Sequence, residues 1–207
     1  MVRLILIRHA NDRVRDVYTF NGTTNNPLSE KGVAQAKRLS DYLKKNFKDI
    51  TRVISSDLKR AYQTASRIAL DFNLKVEKSK EIREVNFGIF EGLTIDQANK
   101  KYKKIFEKRL KDKWNFRIPR GESYLDACNR IKKFIDELIL NHKGKVIVIL
   151  THVTIIKVFS IHYLGMSIKE TDENHFNNCS VSVIDFDENK KPLIKLYNYY
   201  EYLSELK

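Results

Sequence analysis

Leu4-Ile5-Leu6-Ile7-Arg8-His9-Ala10 stands near the start of the chain, and Lys145-Val146-Ile147-Val148-Ile149-Leu150-Thr151-His152 repeats its pattern far downstream. Each is an unbroken apolar run that ends in a histidine. A run without polar alternation predicts a strand buried on both faces, as in the parallel sheet of an α/β protein. Such sheets bind ligands outside the carboxyl ends of their strands, so His9 and His152 are expected to open onto one crevice. Taken alone, either histidine reads as a loop residue bonded to backbone. Arg8 shifts that balance, because a permanent cation at the mouth of a core strand requires an anion, either an acidic side chain or a phosphate.

A third segment bears on that choice. Arg52-Val53-Ile54-Ser55-Ser56-Asp57 reads as a short strand ending in helix-capping residues, and Leu58-Lys59-Arg60-Ala61-Tyr62-Gln63-Thr64-Ala65 has helical composition. Arg60 then falls in a first turn, where free N–H groups and the helix dipole already favour anions. A cation there opposes the dipole unless a polyanion faces it. Asp57 is the alternative partner for Arg60 considered alone. Together Arg8, His9, Arg60 and His152 read as a phosphate cage.

With Asn26-Pro27-Leu28-Ser29-Glu30-Lys31-Gly32, the run Ser55 to Ala65, Ile82-Arg83-Glu84-Val85-Asn86-Phe87-Gly88-Ile89-Phe90-Glu91-Gly92, Gly121-Glu122-Ser123 and Thr151-His152, the chain resembles the histidine phosphatase superfamily, the phosphoglycerate mutase-like enzymes. The matches occur in the family's order between Leu4 and His152. The resemblance implies that His9 attacks phosphorus and forms a phosphohistidine, which requires a neutral ring with its other proton held by a hydrogen bond. It implies that Arg8, Arg60 and His152 surround the phosphoryl oxygens, where transition-state charge accumulates. Glu84 is implied as the acid that protonates the leaving oxygen and the base that then activates water, a task that needs a raised pKa. A surface pair with Arg83 is the alternative for Glu84. Asn21-Gly22 stands where the family carries an amide-glycine pair, so Asn21 is a candidate phosphate ligand and Gly22 a point of close backbone approach. Ala10, Asn11, Asp12 and Arg15 depart from the family's pattern. Arg15 replaces an asparagine, and its long cation either reaches phosphate or faces solvent.

Length and composition agree with one domain over residues 1–207. The expected fold is a three-layer α/β/α sandwich with a mostly parallel central sheet and a small helical cap inserted at residues 85–120. Helices are expected over Ser29–Phe47, Ala61–Leu70, Thr94–Trp114, Glu122–Asn141 and Val153–Leu164, and further strands over Leu74–Val76, Ser180–Phe186 and Leu193–Tyr199. No stretch approaches membrane-spanning length, and Met1 to Arg8 is too short and too soon charged for a signal peptide. Cys128 and Cys179 show neither ligand spacing nor a disulfide framework, which predicts a reducing cytoplasm. His142, His162 and His175 are scattered, so neither a metal nor an organic cofactor is expected.

The net charge of +13, with lysines concentrated between Lys100 and Lys113, suits an acidic partner. A small phosphorylated substrate is expected. Nucleic acid is not, because Tyr102, Phe106, Trp114 and Phe116 interleave only thinly with the basic residues. Tyr102, Trp114, Phe116, Arg117 and Arg120 either line a leaving-group pocket or pack the cap onto the core. The expected reaction is metal-independent phosphomonoester hydrolysis through His9. The short connection Val85 to Arg120 and the Phe90-Glu91-Gly92 sequence resemble the family's phosphatases more than its mutases. A cofactor-dependent phosphoglycerate mutase is the rival, and a non-catalytic phospho-ligand or nucleic-acid binding protein the alternative of another class. Oligomeric state is open, a homodimer included.

Overall fold

The computed structural model describes residues 1–12 and 19–206. Arg15 therefore lies outside the described residues. Strands β1 (Val2–Arg8), β2 (Ile50–Ser56), β3 (Val76–Ser79), β4 (Val146–Thr151), β5 (Val181–Phe186) and β6 (Pro192–Tyr199) form one sheet in the order β3-β2-β4-β1-β5-β6. The first four in that order run parallel, and β5 and β6 continue antiparallel. The helices are α1 (Glu30–Asn46), α2 (Lys59–Asp71), α3 (Ile95–Lys101), α4 (Lys103–Lys111), α5 (Tyr124–Asn141), α6 (Val153–Leu164) and α7 (Ile168–Glu173).

The apolar runs are continuous because each strand feeds two cores. Leu4, Leu6, Ile147 and Ile149 pack with Ile131 and Ile135 of α5 and with Ile155 and Phe159 of α6. Their alternate neighbours Ile5, Ile7, Val148 and Leu150 pack with Leu39 and Leu43 of α1 and with Ala65 and Ile68 of α2. All six residues of β4 are buried. At roughly 1.5–3 kcal/mol for each large apolar side chain removed from water, this central pair dominates the sheet's stability. Phe90, Ala98, Phe106 and Ile118 of the 85–120 insertion join the first of these cores.

The sheet register places the site. Arg8 is opposite Thr151 on β4, so His9 and His152 are the next residues off two adjacent parallel strands. His9 N–H still donates to Thr151 O at 3.0 Å, which carries the ladder one step into the loop.

Several elements differ from the sequence expectation, each for a local reason. The third strand starts at Val76, not Leu74, because Leu74 N–H closes the end of α2 on Ala69 O at 2.8 Å. The helix expected over Thr94–Trp114 breaks at Tyr102 (φ −132°, ψ 41°) and ends at Lys111, while the Tyr102 ring packs against Phe90. Leu58, not a polar residue, caps α2, since Asp57 is held by Arg83 through two 2.5 Å hydrogen bonds. Helix α7, absent from the sequence reading, is six residues nucleated by a Ser167/Glu170 capping box. No helix among the described residues is long and apolar enough to cross a membrane.

Candidate active site

The backbone fixes the Arg8-His9 dipeptide from several sides. Arg8 N–H donates to Ser180 O at 3.2 Å, and Cys179 N–H donates to Arg8 O at 3.0 Å. Asn178 Nδ2 donates to His9 O at 2.9 Å, and Ala10 N–H donates to Thr64 Oγ1 on α2 at 3.1 Å. The Arg8 guanidinium donates to Phe176 O at 2.5 Å.

His9 is buried, with Nδ1 2.7 Å from Ala10 O. A carbonyl only accepts, so Nδ1 carries the proton and Nε2 of the neutral ring keeps its lone pair. Arg60 Nε donates to that Nε2 at 3.2 Å. Burial, and then the charges of Arg60 and Arg8, hold the His9 pKa well below the ordinary histidine range. The tautomer and the protonation state both leave Nε2 nucleophilic.

Arg60 is fully buried, and its remaining donors meet neutral carbonyls: Thr24 O at 2.6 Å, Gly22 O at 2.8 Å and Asn21 O at 3.2 Å. Its nearest carboxylate among the described residues, Asp12, is 3.8 Å away. Arg60 does not pair with Asp57, whose partner is Arg83. A buried guanidinium so weakly neutralised, near Arg8, makes the pocket attractive to an anion.

His152 is fully buried beside His9, with ring centroids 5.1 Å apart and Nε2 2.9 Å from Ser56 Oγ. Burial and then the Arg60 charge depress its pKa well below the usual value. Its Nδ1 is buried without a hydrogen-bond partner among the described residues, an atom with a valence to give a ligand oxygen.

Glu84 is buried, not a surface partner of Arg83. Its Oε1 accepts from Val85 N–H at 2.8 Å and Oε2 from Thr154 N–H at 3.2 Å. Burial raises its pKa against those two bonds and the Arg60 charge. A carboxyl so placed can carry a proton at pH values where an exposed one is ionised.

Asn21 donates from Nδ2 to Asp12 at 2.7 Å, while its Oδ1 is buried without a partner among the described residues. Gly22 N–H is taken by Glu91 at 3.0 Å, and a Cβ there would come within 2.3 Å of Val85 O. Glu91 also accepts from Thr23 and Phe87 N–H, at 3.1 and 2.9 Å, and so ties the Asn21-Gly22 loop to the Glu84 segment. Ser56, Thr64 and Thr154 have no site role in the sequence reading, and Glu91 enters it only within Phe90-Glu91-Gly92, since each acts through a contact distant along the chain. Of the residues expected either to line a leaving-group pocket or to pack on the core, Tyr102 and Trp114 pack against the core, and Arg117 pairs with Asp126. Among the described residues no group of three or more His, Cys, Asp or Glu could hold a metal ion.

The family model of the histidine phosphatase superfamily (branch 1) matches residues 4–199. Phosphoserine phosphatase 1 of Hydrogenobacter thermophilus is 32% identical over 196 residues, covering 95% of this chain and 92% of its own. The protein named "Probable phosphoglycerate mutase GpmB" of Yersinia pestis (strain Pestoides F) is 27% identical over 188 residues, covering 91% of this chain and 86% of its own. A solved structure of phosphoserine phosphatase from Entamoeba histolytica, in complex with 3-phosphoglyceric acid, matches with a TM-score of 0.83 at 25% identity, covering 98% of this chain and all of that one. The chain belongs to the histidine phosphatase superfamily. Its class is that of a hydrolase of the histidine phosphatase type, working through a phosphohistidine intermediate.

Proposed function

We propose that this protein hydrolyses small phosphorylated metabolites in the cytoplasm as one catalytic domain, with His9 as nucleophile. The supporting observation is the Nδ1–Ala10 bond, which leaves His9 Nε2 unprotonated, with buried Arg60 on it and buried Glu84 in the same pocket. A phosphoryl oxygen takes over the Arg60 Nε donor and frees the lone pair. The His9 N–P bond forms as the ester P–O bond breaks, and Glu84 gives its proton to the leaving oxygen. Water then enters, Glu84 takes its proton, the new P–O bond forms and the N–P bond breaks. Arg8, Arg60 and His152 Nδ1 hold the equatorial oxygens in both steps, where preformed donors need no reorganisation. Asn21 Nδ2 is a further candidate donor, Gly22 gives the loop room to approach, and Arg15 is a candidate ligand.

The relative named as a mutase keeps the rival reading alive for experiment. Hydrolysis is favoured by the short 85–120 insertion, which is a modest lid against water. His9→Ala should lower turnover of any phosphomonoester by about 10⁴-fold or more with an unchanged circular dichroism spectrum. Brief mixing of wild type with ³²P-labelled substrate should leave an acid-labile, base-stable phosphoprotein that the variant lacks. A variant retaining most activity would sink the assignment of His9. Rapid interconversion of 2- and 3-phosphoglycerate in the presence of 2,3-bisphosphoglycerate, without phosphate release, would favour the mutase.

A further inference from the structure

A cavity of about 310 Å³ is lined in part by Val153, the residue after His152, and lies at the small end of ligand-binding pockets, which run roughly 300–1,000 Å³. Its wall includes Phe20, Phe87, Tyr124, Thr154, Lys157 and Arg109. Thr154 is the residue whose N–H holds Glu84, so the cavity wall includes the residue that positions the proposed acid.

Arg109, on α4, is only 8% exposed. Its guanidinium carbon lies 5.6, 5.8 and 6.0 Å from the ring centroids of Phe20, Phe87 and Tyr124. Aromatic faces stabilise the cation but accept few of its N–H bonds. Among the described residues no carboxylate or carbonyl oxygen is hydrogen-bonded to it. The other cations at the cavity, Lys113 and Lys157, share the single carboxylate Asp172. The lining therefore carries more positive than negative charge, and the Arg109 fork is the member without a carboxylate partner among the described residues.

We propose that Arg109 is a specificity residue that binds a carboxylate on the leaving group, so that the substrate class is short phosphorylated carboxylic acids. A planar guanidinium matches a carboxylate in two parallel bonds, and the ring walls suit a short carbon skeleton. This inference rests on the hydrolase reading above.

The test compares esters that differ in the carboxylate: 3-phosphoglycerate against glycerol 3-phosphate, and O-phosphoserine against phosphoethanolamine. Wild type should favour the acid in each pair by about 10- to 100-fold in kcat/KM. Arg109→Met should erase that preference by raising KM for the acids, with glycerol 3-phosphate changed less than about twofold, and Arg109→Lys should keep part of it. A wild type without preference would overturn the proposal. So would a methionine variant that weakens both members of a pair alike, as a merely structural cation would. Calorimetric binding of the same pairs to His9→Ala and His9→Ala/Arg109→Met separates the two readings. Absence of any hydrolysis would refute the reaction, while equal binding of acid and alcohol would refute the carboxylate site.

Discussion

His9 and His152 sit where a proton is hard to add, and that has a consequence for stability as well as for nucleophilicity. Both have folded-state pKa values well below 6.5, through burial first and the neighbouring arginines second. Below about pH 6.5 the unfolded chain takes up protons that the folded chain refuses, so stability falls as the solution is acidified, by up to about 1.4 kcal/mol per pH unit for each histidine. Glu84 has the opposite sign. Its folded pKa is raised above 4.5, so its contribution is fully present below that value and is lost as pH rises through the folded pKa. His152→Gln should then remove about half of the acid-side loss between roughly pH 6 and pH 5, read from urea midpoints. An unchanged slope would mean that the buried ring is not held neutral.

At the scale of elements, α5 and the turn before it position the segment that carries Glu84, the proposed acid. Glu122 N–H donates to Asn86 O at 2.8 Å, and Glu122 Oε2 accepts from Asn86 N–H at 3.0 Å. A Cβ on Gly121 would stand 2.4 Å from Asn86 O, so only glycine lets the two strands of chain meet. Arg130 holds Glu122 in a fork of 3.1 and 3.0 Å and reaches Glu81 O and Arg83 O, at 2.5 and 3.0 Å. Arg130→Leu should loosen the Glu84 segment and lower kcat about 10- to 100-fold with little change in KM, at a stability cost of about 1–3 kcal/mol. Arg130→Lys should recover part of kcat. An unchanged kcat would show that Glu84 is held by its own backbone bonds alone. The same contacts explain what sequence could and could not reveal. The apolar runs into His9 and His152 announced two central strands, because burial on both faces removes all alternation. The partners of Asp57 and Glu84 were hidden, because Arg83 and Thr154 choose them across the fold. Arg109 was not legible, because a lysine-rich segment reads as a solvated face and the aromatic rings around the guanidinium come from Phe20, Phe87 and Tyr124, far along the chain. That reading does hold for Lys103, Lys104, Lys108 and Lys111, which are exposed.

Those exposed lysines belong to a molecule of net charge +13, and their effect is felt before contact. A doubly charged ester approaching the pocket is drawn by a field that salt screens over about 10 Å at 0.1 M. Raising ionic strength from about 0.02 to 0.2 M should lower kcat/KM for a phosphomonoester several-fold and leave kcat unchanged; a salt-independent kcat/KM would show that steering is absent. The order of the sheet carries a different consequence, one of timing. Strand β1 is flanked by β4 and β5, and Arg3 is clamped by Asp185 at 2.7 and 2.8 Å. Phe176 O, Asn178 Nδ2, Cys179 N–H and Ser180 O also grip Arg8 and His9 from the segment before β5. During synthesis His9 therefore leaves the ribosome well before residues 176–180, which surround it. Contacts so far apart in sequence close slowly, so folding of the centre waits on β5 and the segment before it. A partly made chain thus holds a histidine but no enzyme, and phosphoryl transfer begins only when the late-made segment has docked on the first strand.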